Sequence, residues 1–386
     1  MGGTPSTEYE EYWLNGDVLW ATPSDLGRGE IIRLRDTARK ITTQGLKAKR
    51  TEPFPCGSIL LSTTATIGNI AIADRPTYCN QQITAIQPHE TVLSEYLAYY
   101  LIRSKADLMR LGGTSTATHI NQKNLSTLSI PVPPLPEQHR IVDILSRAEG
   151  IVRLRREAQK KAAEIIPALF IDMFGDPAMN PNSWPVTSLP DVLSHPFKNG
   201  LYLPKEKYAA ENTDSGVEMV HMSDAFYGEV KRGSLRRVLA DDKQIREYGL
   251  SDKDLLVARR SLNFDGAAKL CGIPSSKESL LFESSFIRLT PSTEKILTEY
   301  LLFYLNNSRT RQAYILSRIS GITISGINQS ALSNIPVMLP HLSTQKDFVK
   351  RVKDVCSIQS QQSAATKKAE ATFNALLSRA FQGELA

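Results

Sequence analysis

Two long stretches of the chain carry apolar residues at alternating steps of three and four. In the first, from about Gln138 to Phe174, the apolar positions are Ile141, Ile144, Ala148, Ile151, Ala158, Ala162, Ile165 and Leu169. In the second, which ends near Gly383, they are Phe348, Val355, Ile358, Ala365, Ala369 and Leu376. This spacing predicts two long helices, each with a narrow apolar stripe. Roughly 35 helical residues at about 1.5 Å each make a rod of roughly 50 Å.

Two such helices in one chain suggest each other as packing partners, although a narrow stripe also suits a helix that lies flat on its own domain. Arg155 and Gln362 interrupt the two stripes at equivalent places. A polar residue there either fixes the alignment of the pair or is simply exposed. Pro167 lacks the N–H that would bond the carbonyl of Ala163, so we expect the first helix to kink or end there, whereas the second has Asn374 at that place.

The segments before the long helices combine short β-runs with one helix each. In the first half the runs lie at 58–62, 70–73 and 82–86 and the helix at 94–111; in the second half the runs lie at 254–258 and 285–289 and the helix at 298–315. Gly, Asn and Pro separate the runs, and prolines close each segment before its long helix begins. Each module is therefore predicted to mix α and β structure.

The two halves echo each other at a spacing of 207 residues. Ile120-Asn121-Gln122 corresponds to Ile327-Asn328-Gln329, and the same interval joins Gln138 to Gln345. A further block, Ile-Pro-Val, begins at Ile130 and at Ile335, a spacing of 205. A long unit that occurs twice indicates an internal pseudo-two-fold repeat and a partner with two equivalent sites.

Composition excludes several classes of protein. The 386 residues are enough for two domains with cores of their own, and 41% hydrophobic and 22% charged residues are ordinary for a globular protein. No apolar stretch approaches the roughly 18–20 residues of a membrane span, and the start does not read as a signal peptide, so we expect a cytoplasmic protein without membrane association. Four cysteines without a CxxC pair indicate neither zinc nor a disulfide framework. A net charge of +6 suits a polyanionic partner without requiring one.

Catalytic motifs are missing from the sequence. It has no Asn-Pro-Pro-Tyr tetrapeptide of the kind that holds a base during methyl transfer, and no GxGxxG or GxxxxGK[ST] loop. The six histidines are scattered singly. We therefore expect no catalytic residue, no cofactor site and no metal site in this chain.

Several motifs occur together in one order. They are Gly3-Thr4-Pro5-Ser6 with Tyr12-Trp13, the segment 20–26 (WATPSDL), Thr66-Ile67-Gly68, Asn80-Gln81-Gln82, the segment 133–138 (PPLPEQ) and the segment 170–177 (FIDMFGDP). Through them the chain resembles, over nearly its whole length, the specificity (S) subunits of type I restriction-modification systems. The resemblance implies an α/β (α+β) fold with two target recognition domains, joined by two long helices that form an antiparallel coiled coil. It implies a first domain at 1–137, a spacer helix at 138–175, a second domain at 176–340 and a second spacer helix at 341–386.

The resemblance also implies a non-catalytic function. Each recognition domain would read one half of a bipartite target in double-stranded DNA, while the helices set the spacer and dock two methylation (M) subunits. Restriction (R) subunits would complete the complex, and S-adenosylmethionine, ATP and Mg²⁺ are expected on the partner subunits. One departure stands out. The second module opens with the segment 184–189 (WPVTSL), whereas the first begins directly at Gly2-Gly3, so we expect an opening segment of about that length to be absent from the first module. If an edge strand is lost with it, the first module would be less stable.

Reading DNA requires cations for phosphates, and amide, hydroxyl or guanidinium groups for base edges. The candidates in the first module are Thr22, Ser24, Lys47, Lys49, Arg50, Asn69, Thr114, Ser115 and Thr116. Those in the second are Lys205, Lys207, Ser223, Arg259, Arg260, Ser261, Asn263, Thr323 and Ser325. Each is alternatively an ordinary solvated loop residue.

Arg259 and Arg260 follow a β-run as Ser62-Thr63-Thr64 does in the first module, so one loop is predicted to carry different chemistry in the two halves. Asn80-Gln81-Gln82 and the paired Ile-Asn-Gln blocks are instead expected to bond loops internally. Two modules on a rigid rod would touch DNA at two separated patches, so rod length would set the unread spacer. Phosphate contacts would make binding strongly salt-dependent.

Two other classes of function stay open at this point. One is an enzyme with a site between the modules, which would need a clustered acid, base and nucleophile that the sequence does not offer. The other is a protein-binding coiled-coil scaffold with two modules and no DNA role.

Overall fold

The computed structural model describes residues 3–49, 52–113, 119–210, 215–224, 230–321 and 324–384. The chain forms two compact units. Unit 1 consists of residues 1–159 and 361–386, and unit 2 of residues 160–360. Each long helix therefore contributes one part to unit 1 and the other part to unit 2.

Unit 1 contains two sheets. Its strands are β1 (Val18–Ala21), β2 (Ile32–Leu34), β3 (Arg39–Ile41), β4 (Ile59–Ser62), β5 (Ile70–Ala73), β6 (Tyr78–Cys79) and β7 (Ile83–Ile86). One sheet has the order β2-β5-β4-β7 and the other the order β3-β1-β6. Its helices are α1 (Thr43–Lys49), α2 (Ser94–Arg103), α3 (Lys105–Leu111), α4 (Gln122–Leu125) and the larger part of α5 (Leu135–Ala162).

The central strands of unit 1 are apolar on both faces because both faces are covered. On one face Ile59 and Leu61 pack with Leu97 and Leu101 of α2. On the other, Leu60 packs with residues of the three-stranded sheet. This double burial explains why the sequence of β4 and β5 shows continuous apolar runs and no alternation.

Unit 2 repeats this plan. It begins with the end of α5 and with α6 (Ile165–Phe174). Its strands are β8 (Val186–Ser188), β9 (Lys198–Asn199), β10 (Val217–Val220), β11 (Arg237–Val238), β12 (Leu255–Ala258), β13 (Arg260–Ser261), β14 (Leu270–Gly272), β15 (Leu280–Phe282), β16 (Phe286–Leu289), β17 (Ser325–Gly326) and β18 (Pro336–Met338). Its further helices are α7 (Asp242–Tyr248), α8 (Thr298–Asn306), α9 (Ser308–Thr310), a π-helical turn at Arg311–Ile315, α10 (Gln329–Ser333) and the first half of α11 (Leu342–Ala380).

The sheets of unit 2 match those of unit 1. The order β14-β12-β16 corresponds to β5-β4-β7, and β11-β10-β15 corresponds to β3-β1-β6. The fourth strands, β9 and β2, lie at opposite edges of these equivalent sheets. In both three-stranded sheets the central strand pairs antiparallel with one neighbour and parallel with the other. The predicted runs at 58–62, 70–73, 82–86, 254–258 and 285–289 are thus strands within a residue or so of their expected bounds.

Side-chain contacts establish which residues of the two units are equivalent. Asn121 and Asn328 each cap a short helix, and each side-chain oxygen accepts a hydrogen bond from the backbone N–H three residues on. The internal structural role expected for the Ile-Asn-Gln blocks is therefore confirmed for their asparagines. The hydroxyl of Tyr100 donates to the carbonyl of Ser129, and that of Tyr304 donates to the carbonyl of Pro336.

The Ile-Pro-Val blocks are thus not structural equivalents. The tyrosine contacts align Ser129 with Pro336, a spacing of 207, so the match at 205 is offset by two residues from the true correspondence. In unit 2 this segment, β18, pairs with β8, and Val337 is fully buried. In the described part of unit 1 no strand pairs with residues 129–131, and Val132 is 51% exposed. The described part of unit 1 therefore has no counterpart of the β8–β18 pair.

The long helices bury the predicted stripe at Ile141, Ala162 and Phe348 and depart from it elsewhere. The further buried positions include Leu145, Val152 and Phe170 in the first helix, and Val352, Thr366, Phe373, Leu377 and Ala380 in the second. Ile151, Ile165 and Ile358 are about half exposed. At several positions the buried residue lies one place beyond the predicted one, because apolar residues occupy two adjacent rows and periodicity alone does not choose between them. Arg155 is exposed. This favours a solvent-facing residue over one that fixes the alignment of the helix pair.

The break in the first helix is where Pro167 predicts it. Helix α5 ends at Ala162 and α6 starts at Ile165, whereas α11 continues without interruption past Asn374. Within unit 1, α5 and the end of α11 run in opposite directions. Tyr99 contacts Glu149 of α5 and Phe373 of α11, and Arg156 pairs with Glu370.

Candidate nucleic-acid interface

In unit 2 two arginines follow the central strand β12 and enter a short hairpin. Arg260 and Ser261 form β13, which pairs with Gly326 and Ser325 of β17. Arg260 is exposed, and Arg259 is partly exposed and donates to the carbonyl of Ser284 at 3.5 Å. Both arginines line an open cavity of about 370 Å³. Two guanidinium groups are therefore held at the end of a buried strand, where they can face a ligand.

The loop after these arginines is held by hydrogen bonds to its own backbone. The Asn263 side chain accepts from Gly266 N–H at 2.7 Å, and the Ser261 hydroxyl accepts from Asn263 N–H at 3.2 Å. Arg311, 8% exposed, donates to the carbonyls of Asp265, Ala267 and Ala268 at 2.9–3.3 Å. Burial lowers the pKa of Arg311. The loop is consequently preorganised.

A second segment of unit 2 is the turn that joins the two sheets, Glu283–Ser285, between β15 and β16. Arg259 N–H donates to Ser285 O, which ties the turn to the arginine hairpin. On its other side, Glu283 accepts from Met222 N–H at 2.7 Å. The turn therefore links the arginines to the residues that follow β10.

Those residues begin with His221, which is 3% exposed. Its Nδ1 faces the carbonyl of Met219 at 2.9 Å and its Nε2 faces the hydroxyl of Tyr208 at 3.1 Å. Burial, with the nearby charge of Arg236, lowers the pKa of His221. A neutral imidazole suits these contacts, since Nδ1–H donates to the carbonyl and Nε2 accepts from the tyrosine.

In unit 1 the equivalent of the arginine hairpin carries different side chains. Ile120 N–H donates to Thr63 O, as Ile327 N–H does to Arg259 O. Thr64 bridges to His119, as Arg260 pairs with Gly326, and the Thr64 hydroxyl lies 2.8 Å from His119 Nδ1. Hydroxyl and imidazole groups therefore stand where unit 2 has arginine and glycine. The prediction of one loop with two chemistries is supported at these positions.

The connecting turn of unit 1 is Asn80-Gln81-Gln82. The Asn80 side chain donates to Gln82 Oε1 at 3.0 Å and accepts from Gln82 N–H at 3.1 Å. The internal bonding expected for these residues is therefore confirmed for Asn80 and Gln82. Gln81 is exposed, and its amide oxygen accepts a hydrogen bond from the Thr4 hydroxyl.

Thr22 and Ser24 lie beside this turn, on the segment that follows β1. Asn80 N–H donates to Ala21 O, and the Thr22 hydroxyl donates to Asp25 Oδ2 at 2.8 Å. Thr22 thus belongs to a capping box, while Ser24 is exposed. In unit 2, Ser223 occupies the corresponding position and is also exposed.

Several predicted residues do not join the site. The side chains of Asn69, Ser261 and Ser325 are buried, at 4%, 0% and 6% exposure, which removes them as direct contacts. The side-chain oxygen of Asn263 caps the following turn by accepting from Gly266 N–H. Lys47 and Lys49 lie on α1, which follows Ile41, and Ile41 pairs with the first residue of β1, so α1 stands at the opposite end of the sheet from Thr22.

Lys205 and Lys207 are exposed beside β11, where Leu239 N–H donates to Lys207 O, at the end of that sheet away from His221. The remaining candidates, Arg50, Thr114, Ser115, Thr116 and Thr323, and the side chain of Lys49, lie outside the described residues.

Three residues of the site were missed by sequence reasoning. His119 was dismissed as a scattered histidine, although it directly precedes the repeated Ile-Asn-Gln block. Lys105 packs its side chain against Gly68 of the loop after β4, and no sequence pattern signals this. Arg236 lies 5.7 Å from the ring of Tyr208 because β11 pairs with β10, which only the fold reveals.

The part of the chain that the structure describes contains neither a metal-binding cluster nor a helix that could span a membrane. No group of three His, Cys, Asp or Glu is placed to hold a metal ion in that part of the chain. Nor does any described helix combine the length and apolar character that crossing a membrane requires.

Comparison with known proteins matches this architecture to one family. The family model described as "Type I restriction modification DNA specificity domain" matches residues 1–164 and 181–371. The MjaIX type I restriction enzyme specificity subunit of Methanocaldococcus jannaschii is 31% identical over 71% of this chain and 69% of its own length. The EcoR124I/EcoR124II specificity subunit of Escherichia coli is 33% identical over 42% of this chain and 41% of its own length.

A solved chain from a study of assembly in the type I restriction-modification system covers this whole chain and 95% of its own, with a TM-score of 0.63 and 16% identity. That likeness concerns the fold alone. The family model matches both halves and the MjaIX relative covers 71% of the chain at 31% identity, so the chain belongs to the type I restriction-modification DNA specificity family.

Proposed function

We propose that this chain is the DNA-specificity subunit of a type I restriction-modification complex, in which each unit reads one half of a bipartite target. The observation that carries the proposal is the site built twice. In each unit three segments are joined by the same backbone hydrogen bonds. They are the segment after β1 or β10, the loop after β4 or β12, and the turn that connects the two sheets. The backbone is shared and the exposed side chains differ, as two different half-sites require.

The chemistry of the two sites supports different readouts. In unit 2, Arg259 and Arg260 can donate bidentate hydrogen bonds to guanine, the commonest specific contact of arginine in the major groove. In unit 1, the exposed Gln81 amide suits adenine, while Thr64 and His119 add a hydroxyl and an imidazole. Lys105 in unit 1 and Arg236 in unit 2 supply cations for phosphates.

The long helices support a spacer and docking role. Side chains of Ile151, Leu154 and Ile358 are 52–58% exposed on them, and exposed apolar residues on otherwise charged helices suit protein partners. We propose that the helices form the antiparallel coiled-coil spacer and that two methylation subunits dock there, with restriction subunits in the full complex. Catalysis would then belong to the partners, together with S-adenosylmethionine, ATP and Mg²⁺. A cytoplasmic location remains a prediction.

The test is co-expression with candidate methylation subunits from the source genome, followed by methylation mapping of the host DNA. We expect one bipartite motif with a fixed unread spacer. Arg260→Ala should change one half-site and leave the other intact, since a bidentate arginine contributes about 1–3 kcal/mol of discrimination. Methylation without a bipartite motif would refute the proposal. A chain that binds protein partners while the complex binds no duplex would favour the scaffold alternative.

A further inference from the structure

Three large apolar side chains are exposed together beside the arginines of unit 2. Leu262 is 78% exposed, Phe264 47% and Ile324 50%. Leu262 follows Ser261, and Ile324 precedes Ser325, the partner of Ser261 in the β13–β17 ladder. The antiparallel register therefore places Leu262 and Ile324 opposite each other just beyond the paired serines.

This apolar group is displayed on a stiff loop. Leu262 and Phe264 flank Asn263, whose side chain is bonded to Ser261 and Gly266. Arg311 donates to the carbonyls of Asp265, Ala267 and Ala268 in the same loop. A loop that only needed to cross the surface would not require a buried guanidinium for support, because burying a charge is costly. The support indicates that the position of the loop matters.

In unit 1 the loop after β4, all of which the structure describes, shows no such exposed apolar side chain. This loop, residues 63–69, is four residues shorter than the 259–269 loop of unit 2, and its one large apolar side chain, Ile67, is 7% exposed. The exposed apolar residues are thus a property of one reading site rather than of the shared frame.

We propose that Leu262, with Phe264 and Ile324, forms an apolar prong that contacts the C5-methyl group of thymine in the half-site read by unit 2. The prong rests on the proposed function. Arg260, two residues before Leu262, carries the positive charge that brings a phosphate backbone to this hairpin. If Arg260 reads guanine in the major groove, Leu262 enters the same groove, where the thymine methyl is the apolar feature of the base edges.

The experiment uses the complex with its methylation subunits and a duplex that carries the mapped motif. Each thymine in the half-site altered by Arg260→Ala is replaced singly by deoxyuridine, which lacks only the methyl group, and binding is measured by fluorescence anisotropy. We expect at least one replacement to weaken wild-type binding roughly fourfold, the effect of about 0.8 kcal/mol per buried methyl-sized group. Leu262→Ser should bind the thymine and deoxyuridine duplexes equally.

Met179→Ser is the matched control, because Met179 is 79% exposed in the same unit and lies outside the hairpin; it should keep the wild-type difference. The prong is refuted if wild type is indifferent to every replacement, if the half-site has no thymine on either strand, or if Leu262→Ser keeps the difference. An apolar wedge in the minor groove would instead unstack an adjacent 2-aminopurine without sensitivity to deoxyuridine, which also refutes it. A wild-type complex that binds no duplex refutes the proposed function itself.

Discussion

Gln138 and Gln345 make the same buried contacts in the two units. Each side chain is fully buried. The Oε1 atom of Gln138 accepts from Leu93 N–H and that of Gln345 from Leu297 N–H, both at 2.9 Å. The Nε2 atoms donate to the carbonyls of Pro133 and Pro340, both at 2.8 Å. Each glutamine thereby joins the start of a long helix to the start of the helix in its recognition module.

Replacing Gln138 or Gln345 with Met should lower the free energy of unfolding of the unit concerned. The substitution keeps the volume and leaves a backbone N–H and at least one carbonyl unpaired in the interior, and each orphaned group costs about 1–3 kcal/mol. Urea denaturation of the full chain measures the loss. Gln361→Met, at an exposed position of α11, should change stability little; an equal loss there would show that the buried bonds are not the cause.

Glu149 should make unit 1 less stable as pH rises. Its carboxylate accepts from Ile31 N–H at 2.7 Å and from the Tyr99 hydroxyl at 2.8 Å, and burial raises its pKa above the ordinary 4.5. The folded state therefore holds a proton that the unfolded state has already released, so stability falls as pH rises from about 4.5 through the raised pKa.

The measurement is the free energy of unfolding in urea at several pH values from 4.5 to 7. Glu149→Gln should flatten this slope, since an amide does not titrate. Glu157→Gln, at an exposed position of the same helix, should retain it. A wild-type curve that rises through this window, with no change in Glu149→Gln, would contradict the assignment.

Arg311→Met should loosen the reading loop of unit 2. It removes the donors to three carbonyls, each of which costs about 1–3 kcal/mol if left buried and unpaired. We expect lower thermal stability and, in methylation mapping, relaxed recognition in one half-site only. Arg309→Met is the control, because Arg309 is 63% exposed and pairs with Asp176 only at 3.7 Å. Loss of stability with both half-sites unchanged would show a purely structural role.

Lengthening both long helices should lengthen the unread spacer. An insertion near Ala158 with a matched insertion near Gln361 adds to both helices where the chain passes between the units. Seven residues keep the helical phase within about 20° and add roughly 10 Å, equivalent to about three base pairs. Methylation mapping should show both half-sites preserved and the spacer longer. Altered half-sites would refute the idea that the helices set spacing alone.

Much of the frame could be predicted from local sequence. The strands at 59–62, 70–73 and 255–258 are short apolar runs between turn residues, and the helix break before Pro167 follows from a missing N–H. The stripe on the long helices is correct at Ile141 and Phe348 but one residue off at Ile151, because Ile151 and Val152 are equally apolar and only the packing partner chooses between them. The Ile-Pro-Val match was likewise misleading, since the hydroxyls of Tyr100 and Tyr304 align the two segments at 207.

The candidate site was predicted less completely. Arg259 and Arg260 were found because they follow a recognisable strand, and Gln81 was placed in the right turn with an internal role. Lys47 was included because lysines cluster there in sequence, but the register of β1 and β3 places α1 at the other end of the sheet. Lys105 and Arg236 were missed because they reach the site from other elements.

By itself, the sequence determined the repeated frame: two mixed modules, two long helices, and the glutamine and asparagine pairs that lie 207 residues apart. These follow from periodicity, turn residues and proline, which act within a few residues of themselves. Only the tertiary structure decided which side chains of that frame meet, that Asn69 and Ser261 face inward while Leu262 faces water, and that Arg311 supports the loop beside them. Such choices depend on strand register and on packing between distant segments, which a linear pattern does not contain.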